Sequence, residues 1–232
     1  HDTASAVMAV PCQEDNCLYI SSGTWSLMGT ENKKAICTEE SRQKNFTNEG
    51  GYDFRYRYLK NIMGLWMIQS VRHEEKDQYS FAQLCEMADE CSDFPSRVFV
   101  NAQEFLAPES MTEAVRQYCE KSGQRVPETT GELAAVIYQS LAKCYGETVQ
   151  EIEQLTGEHY DTIHIVGGGA NADYLNRLTA SQSGRRVLAG PSEATAIGNL
   201  MAQMIGKGEF AGLMQARACV AESFPIREYQ KG

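Results

Sequence analysis

No apolar stretch among these 232 residues approaches the roughly twenty that a membrane-crossing helix needs. The amino-terminal end also lacks the basic-then-apolar arrangement of a secretory leader. A soluble, cytoplasmic protein is therefore expected. Positive charge is scarce: 21 Lys and Arg face 31 Asp and Glu, a formal net charge of −10. That balance repels a nucleic-acid backbone. It is compatible with a nucleotide, because backbone N–H groups and a bound magnesium ion supply positive charge locally. The eight cysteines (12, 17, 37, 85, 91, 119, 144 and 219) include no C-x-x-C pair. Several fall on apolar faces of expected helices, which favours reduced core thiols over disulfides or a metal centre. No G-x-x-x-x-G-K-[ST] occurs, so a P-loop is excluded. There is no internal repeat and no low-complexity segment.

What is present is organised around residues 162–199. The β-branched run 163–166 is stopped by Gly167-Gly168-Gly169, which suits a buried strand ending in a turn. Asn171 is placed to cap a helix over 172–183 that Gly184 closes. Such a turn admits a ligand close to the backbone and aims N–H groups at it; a tight turn with no ligand is the alternative. A strand over 186–189, a break at Gly190-Pro191 and a helix over 193–205 follow. The tail reads as one short helix and an extended end.

Ahead of this region, residues 3–10 read as a helix starting at Asp2, whose carboxylate either caps the helix or accepts a proton from a hydroxyl. Residues 18–20 and 25–28 flank Ser21-Ser22-Gly23-Thr24 as a hairpin whose small, hydroxyl-rich turn could hold phosphate. Residues 35–38 suggest a further strand, and 46–51 a loop. Apolar positions over 55–74 recur at helical spacing, which predicts one helix carrying Asn61 and Gln69 two turns apart. Helices are expected over 81–91, 111–121 and 132–155, the last open to interruption at Gly146. One large domain is expected from the length. The chain opens on His1, not Met, with a helix directly behind it, so it is expected to begin inside a longer protein, with a partner domain ahead of it.

Gly167-x-Gly169-x-x-Ala172 after a strand matches a dinucleotide fingerprint in form. The acidic residue wanted at the end of the next strand is absent, since that strand ends Leu188-Ala189-Gly190. The fingerprint also normally opens its domain, whereas here about 160 residues precede it. A Gly-Thr hairpin first and a strand, glycine turn and helix much later is the layout an actin-like ATPase domain presents to ATP.

The motifs His1-Asp2-Thr3-Ala4-Ser5, Ser22-Gly23-Thr24-Trp25-Ser26, Thr47-Asn48-Glu49-Gly50-Gly51, Leu59-Lys60-Asn61-Ile62-Met63-Gly64-Leu65-Trp66, Gly167-Gly168-Gly169 and Gly190-Pro191-Ser192-Glu193-Ala194-Thr195 occur in this order. The chain thereby resembles the carboxy-terminal domain of the FGGY carbohydrate kinases, and within them the branch acting on L-rhamnulose. The resemblance runs from residue 1 to about 226. It implies an α/β, actin-like ATPase (ribonuclease H-like) fold forming the C-terminal half of a two-domain sugar kinase, the N-terminal sugar-binding domain being absent from this chain. It also implies phosphoryl transfer from ATP, with Mg2+, to the 1-hydroxyl of L-rhamnulose. Asp2 then matches the catalytic base. His1, Asp2, Thr3 and Asn61 match sugar contacts. Gly23, Thr24, Gln69, Gly167, Gly168 and Gly169 match ATP contacts, to which Asn171 is added as the residue beginning the helix beside the nucleoside. Metal ligands are not assigned. Phosphorylation of another ketose or polyol, or a non-catalytic actin-like nucleotide-binding module, are the competing readings.

Overall fold

The computed structural model describes residues 2–14 and 17–230. Helix α1 (Asp2–Met8) leads to a hairpin of β1 (Leu18–Ser22) and β2 (Trp25–Asn32), whose tight turn is set by Gly23 and Thr24. Helix α2 (Glu39–Gln43), capped by Thr38, precedes β3 (Phe46–Gly50), β4 (Tyr56–Met63) and α3 (Trp66–Glu74). Helices α4 (Phe81–Glu90), α5 (Met111–Lys121) and α6 (Thr130–Thr156) follow; α4 and α6 both begin with a full capping box. The remainder alternates: β5 (Thr162–Val166), α7 (Asp173–Ser183), β6 (Arg186–Ala189), α8 (Ala194–Gly206), α9 (Leu213–Ser223) and β7 (Arg227–Tyr229).

The strands form one sheet in the order β3-β4-β2-β1-β5-β6-β7. Strands β1, β5 and β6 run parallel, and the other neighbours are antiparallel. Side chains alternate between faces along each strand. Leu18 and Ile20 therefore join the larger core beneath α3 to α7, while Tyr19 joins a smaller one with Val7 of α1, Ile197 of α8 and Val220 of α9. In register, Glu31 of β2 faces Arg57 of β4, and Leu27 faces Asn61.

Several expectations are corrected. Residues 55–74 are not one helix. The apolar positions that fit a 3.6-residue period also fit a strand ending at Met63 and a helix starting at Trp66, with Gly64 between them. A Cβ on Gly64 would lie 2.6 Å from the backbone of Trp25 and Ser26, so the chain turns where only glycine fits. The expected loop over 46–51 is mostly β3, a polar edge strand whose Phe46 stacks on Tyr58 at 5.0 Å. Residues 35–38 make no strand; both backbone groups of Ile36 bond instead to the Asn48 amide. Helix α6 runs through Gly146, where a Cβ would meet the Gln182 carbonyl of α7 at 2.9 Å. Cys12 and Cys17, on the connection between α1 and β1, form a disulfide with Cα atoms 6.4 Å apart. The reading of reduced core thiols holds for buried Cys85 and Cys119 and fails for this pair.

Candidate functional site

Ligands of open α/β sheets collect at the carboxyl ends of the parallel strands. Here β1 ends at Ser22, β5 at Val166 and β6 at Ala189. The hairpin tip, the glycine turn and the segment 190–193 consequently share one edge. The tip is tied to α3: the Leu65 N–H donates to the Gly23 carbonyl and the Trp66 N–H to the Thr24 carbonyl, each at 3.0 Å. One turn into α3, Gln69 accepts a hydrogen bond from the Thr24 hydroxyl at 3.4 Å. Two candidate ATP contacts 45 residues apart are thereby side by side.

The glycine turn rests directly on the hairpin. Gly167 has φ +87°, and a Cβ there would lie 2.7 Å from the Ser22 carbonyl oxygen; on Gly169 it would lie 1.9 Å from Ser22 Oγ. Gly168 is exposed, with open space where its Cβ would be, so the turn's outer side is free to receive a ligand. The buried Asn176 amide donates to the carbonyls of Gly169 and Ala170 at 3.3 and 3.1 Å and holds the turn's shape. From below, the Tyr145 hydroxyl of α6 sits 2.6 Å from Ser26 Oγ at the start of β2. Burial pushes that phenol above its ordinary range, so it stays a neutral hydrogen-bonding group.

Asn171 does not cap the following helix. Residues Gly168–Asn171 form a short 3-10 turn, Ala172 occupies the cap position, and no side chain caps α7. The competing partner is Arg227, whose guanidinium donates to Asn171 Oδ1 at 3.0 Å and to the Ala170 carbonyl at 2.6 Å. A hollow of about 300 Å³ opens here, bounded by Asn171, Gly190, Glu193, Phe224 and Arg227. The glycine turn thus borders this hollow, although the helix cap predicted for Asn171 is absent.

Asp2 is tied to α8, whose first turn follows the 190–193 segment. The Thr195 hydroxyl donates to the Asp2 carbonyl at 3.5 Å. A Cβ on Gly198 would lie 1.7 Å from the Ser5 carbonyl oxygen, so α1 and α8 meet backbone to backbone. Asp2 is exposed and begins α1. Thr3 accepts a hydrogen bond from Arg57 at 2.9 Å. His1 lies outside the described residues. Asn61 lies on strand β4, not on a helix with Gln69. Alternation puts it on the same face as Arg57, and it borders a cleft of about 740 Å³ with Trp25 and Asn101. No described hydrogen bond joins Asp2 or Asn61 to Thr24, Gln69 or the glycine turn.

Sequence reasoning missed Arg57, Arg227 and Asn176, whose partners lie far off in the chain or on a turn whose shape local propensity does not give. It also passed over His164, buried on β5 with no partner for Nδ1. Burial, with Arg217 and Arg186 nearby, pulls His164 down to about 4.

Residues 18–206 match the family model for the FGGY family of carbohydrate kinases, C-terminal domain. Rhamnulokinase from Halalkalibacterium halodurans is 47% identical over 229 residues, an alignment covering 99% of this chain and 49% of that protein. Rhamnulokinase from Bacillus subtilis is also 47% identical over 229 residues, covering 99% and 47%. The chain thus spans about half the length of these relatives. Among solved structures, xylulose kinase from Rhodospirillum rubrum superposes with a TM-score of 0.68 at 15% identity, over 100% of this chain and 45% of that one. Plasmodium falciparum glycerol kinase, solved with ADP, gives 0.69 at 12% identity, over 100% and 46%. At such identities these structures speak for the fold alone, which is the actin-like ATPase fold. The family match over most of the chain and the 47% identity with full-length relatives carry the assignment: this chain belongs to the FGGY family of carbohydrate kinases, as a carboxy-terminal domain.

Proposed function

We propose that this chain is the ATP-binding, base-carrying half of a cytoplasmic kinase that transfers the γ-phosphoryl group of ATP to the 1-hydroxyl of L-rhamnulose, giving L-rhamnulose 1-phosphate. The observation that supports the chemistry is the contact of the Gly23-Thr24 tip with the Gly167–Gly169 turn through Ser22, with the Asp2 end of α1 tied to the first turn of α8 after the 190–193 segment. The similarity to rhamnulokinases along nearly the whole chain supports the choice of sugar.

A sugar hydroxyl is barely acidic, so its oxygen attacks readily only as its proton leaves. Asp2 accepts that proton, a contribution of about 10²- to 10⁴-fold. The larger requirement is alignment of the attacking oxygen with the γ-phosphorus and neutralisation of the phosphate charge. The hairpin tip and Thr24 hold phosphate, Gln69 fixes Thr24, and Gly168 lets the nucleotide approach the backbone. The hollow beside Asn171 and Arg227 takes the nucleoside. Among the described residues no group of three or more His, Cys, Asp or Glu is placed to hold a metal ion. Magnesium, bound through the ATP phosphates, would supply positive charge where it develops, as suits an ion that keeps most of its ligands outside the protein.

The sugar site is completed by an amino-terminal half of the kind the relatives' length implies. Helix α8 supports this reading. Its thirteen residues contain no charged side chain, yet Leu200 is 59% and Met204 39% exposed. Such a face beside α1 suits burial against a second domain. Among the described residues, no helix is long and apolar enough to cross a membrane. The test is an ADP-release assay of the intact kinase across ketoses and polyols, with L-rhamnulose expected to give the highest kcat/KM. A clear preference for another ketose would reassign the substrate, and ATP binding with no turnover on any sugar would favour a nucleotide-binding module. The isolated chain should not phosphorylate the sugar, because half the cleft is missing.

A further inference from the structure

Helix α1 has seven residues, too few to hold its own position in water. What places it, and therefore Asp2, is the layer of charge between it and the sheet. At its carboxyl end the buried Arg217 donates to the carbonyls of Val7 and Met8 and pairs with buried Glu31. At the other end stands Arg57 of β4, only 3% exposed. Its three donor nitrogens go to three different residues, two on β3 and one on α1. Nε donates to the Gly50 carbonyl at 3.0 Å, one terminal nitrogen to Glu49 Oε2 at 2.9 Å, and the other to Thr3 Oγ1 at 2.9 Å. A planar guanidinium held at all three nitrogens cannot rotate. Thr3 is the next residue after Asp2, in the same first turn. The Thr195 contact to the Asp2 carbonyl is longer and exposed, and it joins two neutral groups.

We propose that Arg57 is a positioning residue for phosphoryl transfer: through the Thr3 hydroxyl it fixes the first turn of α1, and with it the direction of the Asp2 carboxylate. The proposal rests on the reading of Asp2 as the base. Arg57 offers only donors, so the Thr3 oxygen is the acceptor in their bond. Its hydroxyl proton is thereby directed away from the guanidinium. Lysine cannot take over this role. Its compact ammonium can keep the pair with Glu49 but cannot present three donors in one plane.

The test is carried out in the intact kinase with L-rhamnulose and ATP. Arg57→Met is expected to lower kcat roughly 10- to 100-fold, the scale of an ångström-sized misplacement, with KM for ATP unchanged. Arg57→Lys should recover only part of that loss. Thr3→Val combined with Arg57→Met should lower kcat by less than the product of the two single losses, since the two residues share one hydrogen bond. Glu49→Gln removes the ion pair and spares the bond to Thr3; it should lower the melting temperature and leave kcat within twofold. If Arg57→Met does not fold, Arg57→Lys and Glu49→Gln carry the comparison: kcat falling in the first and not in the second supports the proposal, and equal behaviour overturns it. Additive losses from Arg57→Met and Thr3→Val, or a kcat for Arg57→Met within twofold of the parent in an enzyme that Asp2→Asn inactivates, would also overturn it. Full activity of Asp2→Asn would instead remove the base reading on which it stands.

Discussion

Replacing Gly169 with alanine tests whether the contact between glycine turn and hairpin builds the nucleotide site. The added Cβ would lie 1.9 Å from Ser22 Oγ and 2.5 Å from Ser22 Cβ. A rotamer change could move the oxygen, but Ser22 Cβ is fixed to the backbone of β1, so turn and hairpin must part by several tenths of an ångström at least. Ser22 is buried, and Asn176 pins the turn from the other side, so the strain has little room to relax. Overpacking of this kind costs about 1–3 kcal/mol. Gly168→Ala is the control for folding alone, because nothing in the chain lies within 4 Å of its Cβ position. Melting curves and calorimetric titration with ATP analogues should separate the two. Gly169→Ala is expected to melt lower and to bind nucleotide at least tenfold more weakly. Gly168→Ala should keep its stability within about 0.5 kcal/mol, as for a surface substitution that meets nothing. If Gly169→Ala binds ATP as the parent does, the turn and hairpin do not form one site.

The buried His164 makes stability depend on pH. Its folded value of about 4 lies below the ordinary 6.5, so between these values the unfolded chain binds the extra proton. Stability is therefore complete above about pH 6.5, falls as the pH drops through that window, and has lost its full share of about 3 kcal/mol by pH 4. Denaturant unfolding of His164→Phe beside the parent should show a flatter profile over that range, and parallel profiles would contradict the assignment. The disulfide should be visible as six titratable thiols in denaturant for the oxidised chain and eight after reduction. With a sequence separation of only five between Cys12 and Cys17, the chain-entropy estimate gives a loss on reduction of about 2 kcal/mol. Eight thiols in the oxidised chain would mean that the pair does not form.

Elements whose signals are local were legible. The hairpin around Gly23, β6 over Arg186–Ala189, and α5 between its Ser110 cap and Ser122 carry their turn and cap chemistry within a few residues. Strand β4 was not legible, because Leu59, Ile62, Met63 and Trp66 fit a helical period as well as a strand followed by a helix. Only the packing of Gly64 against Trp25 and Ser26 decides between them. Asn171 was misread for a similar reason: a cap signal is local, but Arg227, 56 residues on, competes for its side chain. In the site, the glycine turn and the Gly-Thr tip could be recognised one at a time. Their meeting through Ser22, the Thr24 to Gln69 contact and the Arg57 clamp depend on strand order, which no local pattern contains.

The central claim is that Asp2 takes the proton from the sugar hydroxyl while the hairpin and glycine turn hold ATP. Asp2→Asn is nearly isosteric and keeps the helix start, removing only the base. Single-turnover measurement of L-rhamnulose 1-phosphate formation by that variant of the intact kinase, with ATP affinity measured in parallel, addresses the claim directly. The account predicts product formation slowed by about 10²-fold or more with ATP binding unchanged; product formed at the parent rate would contradict it.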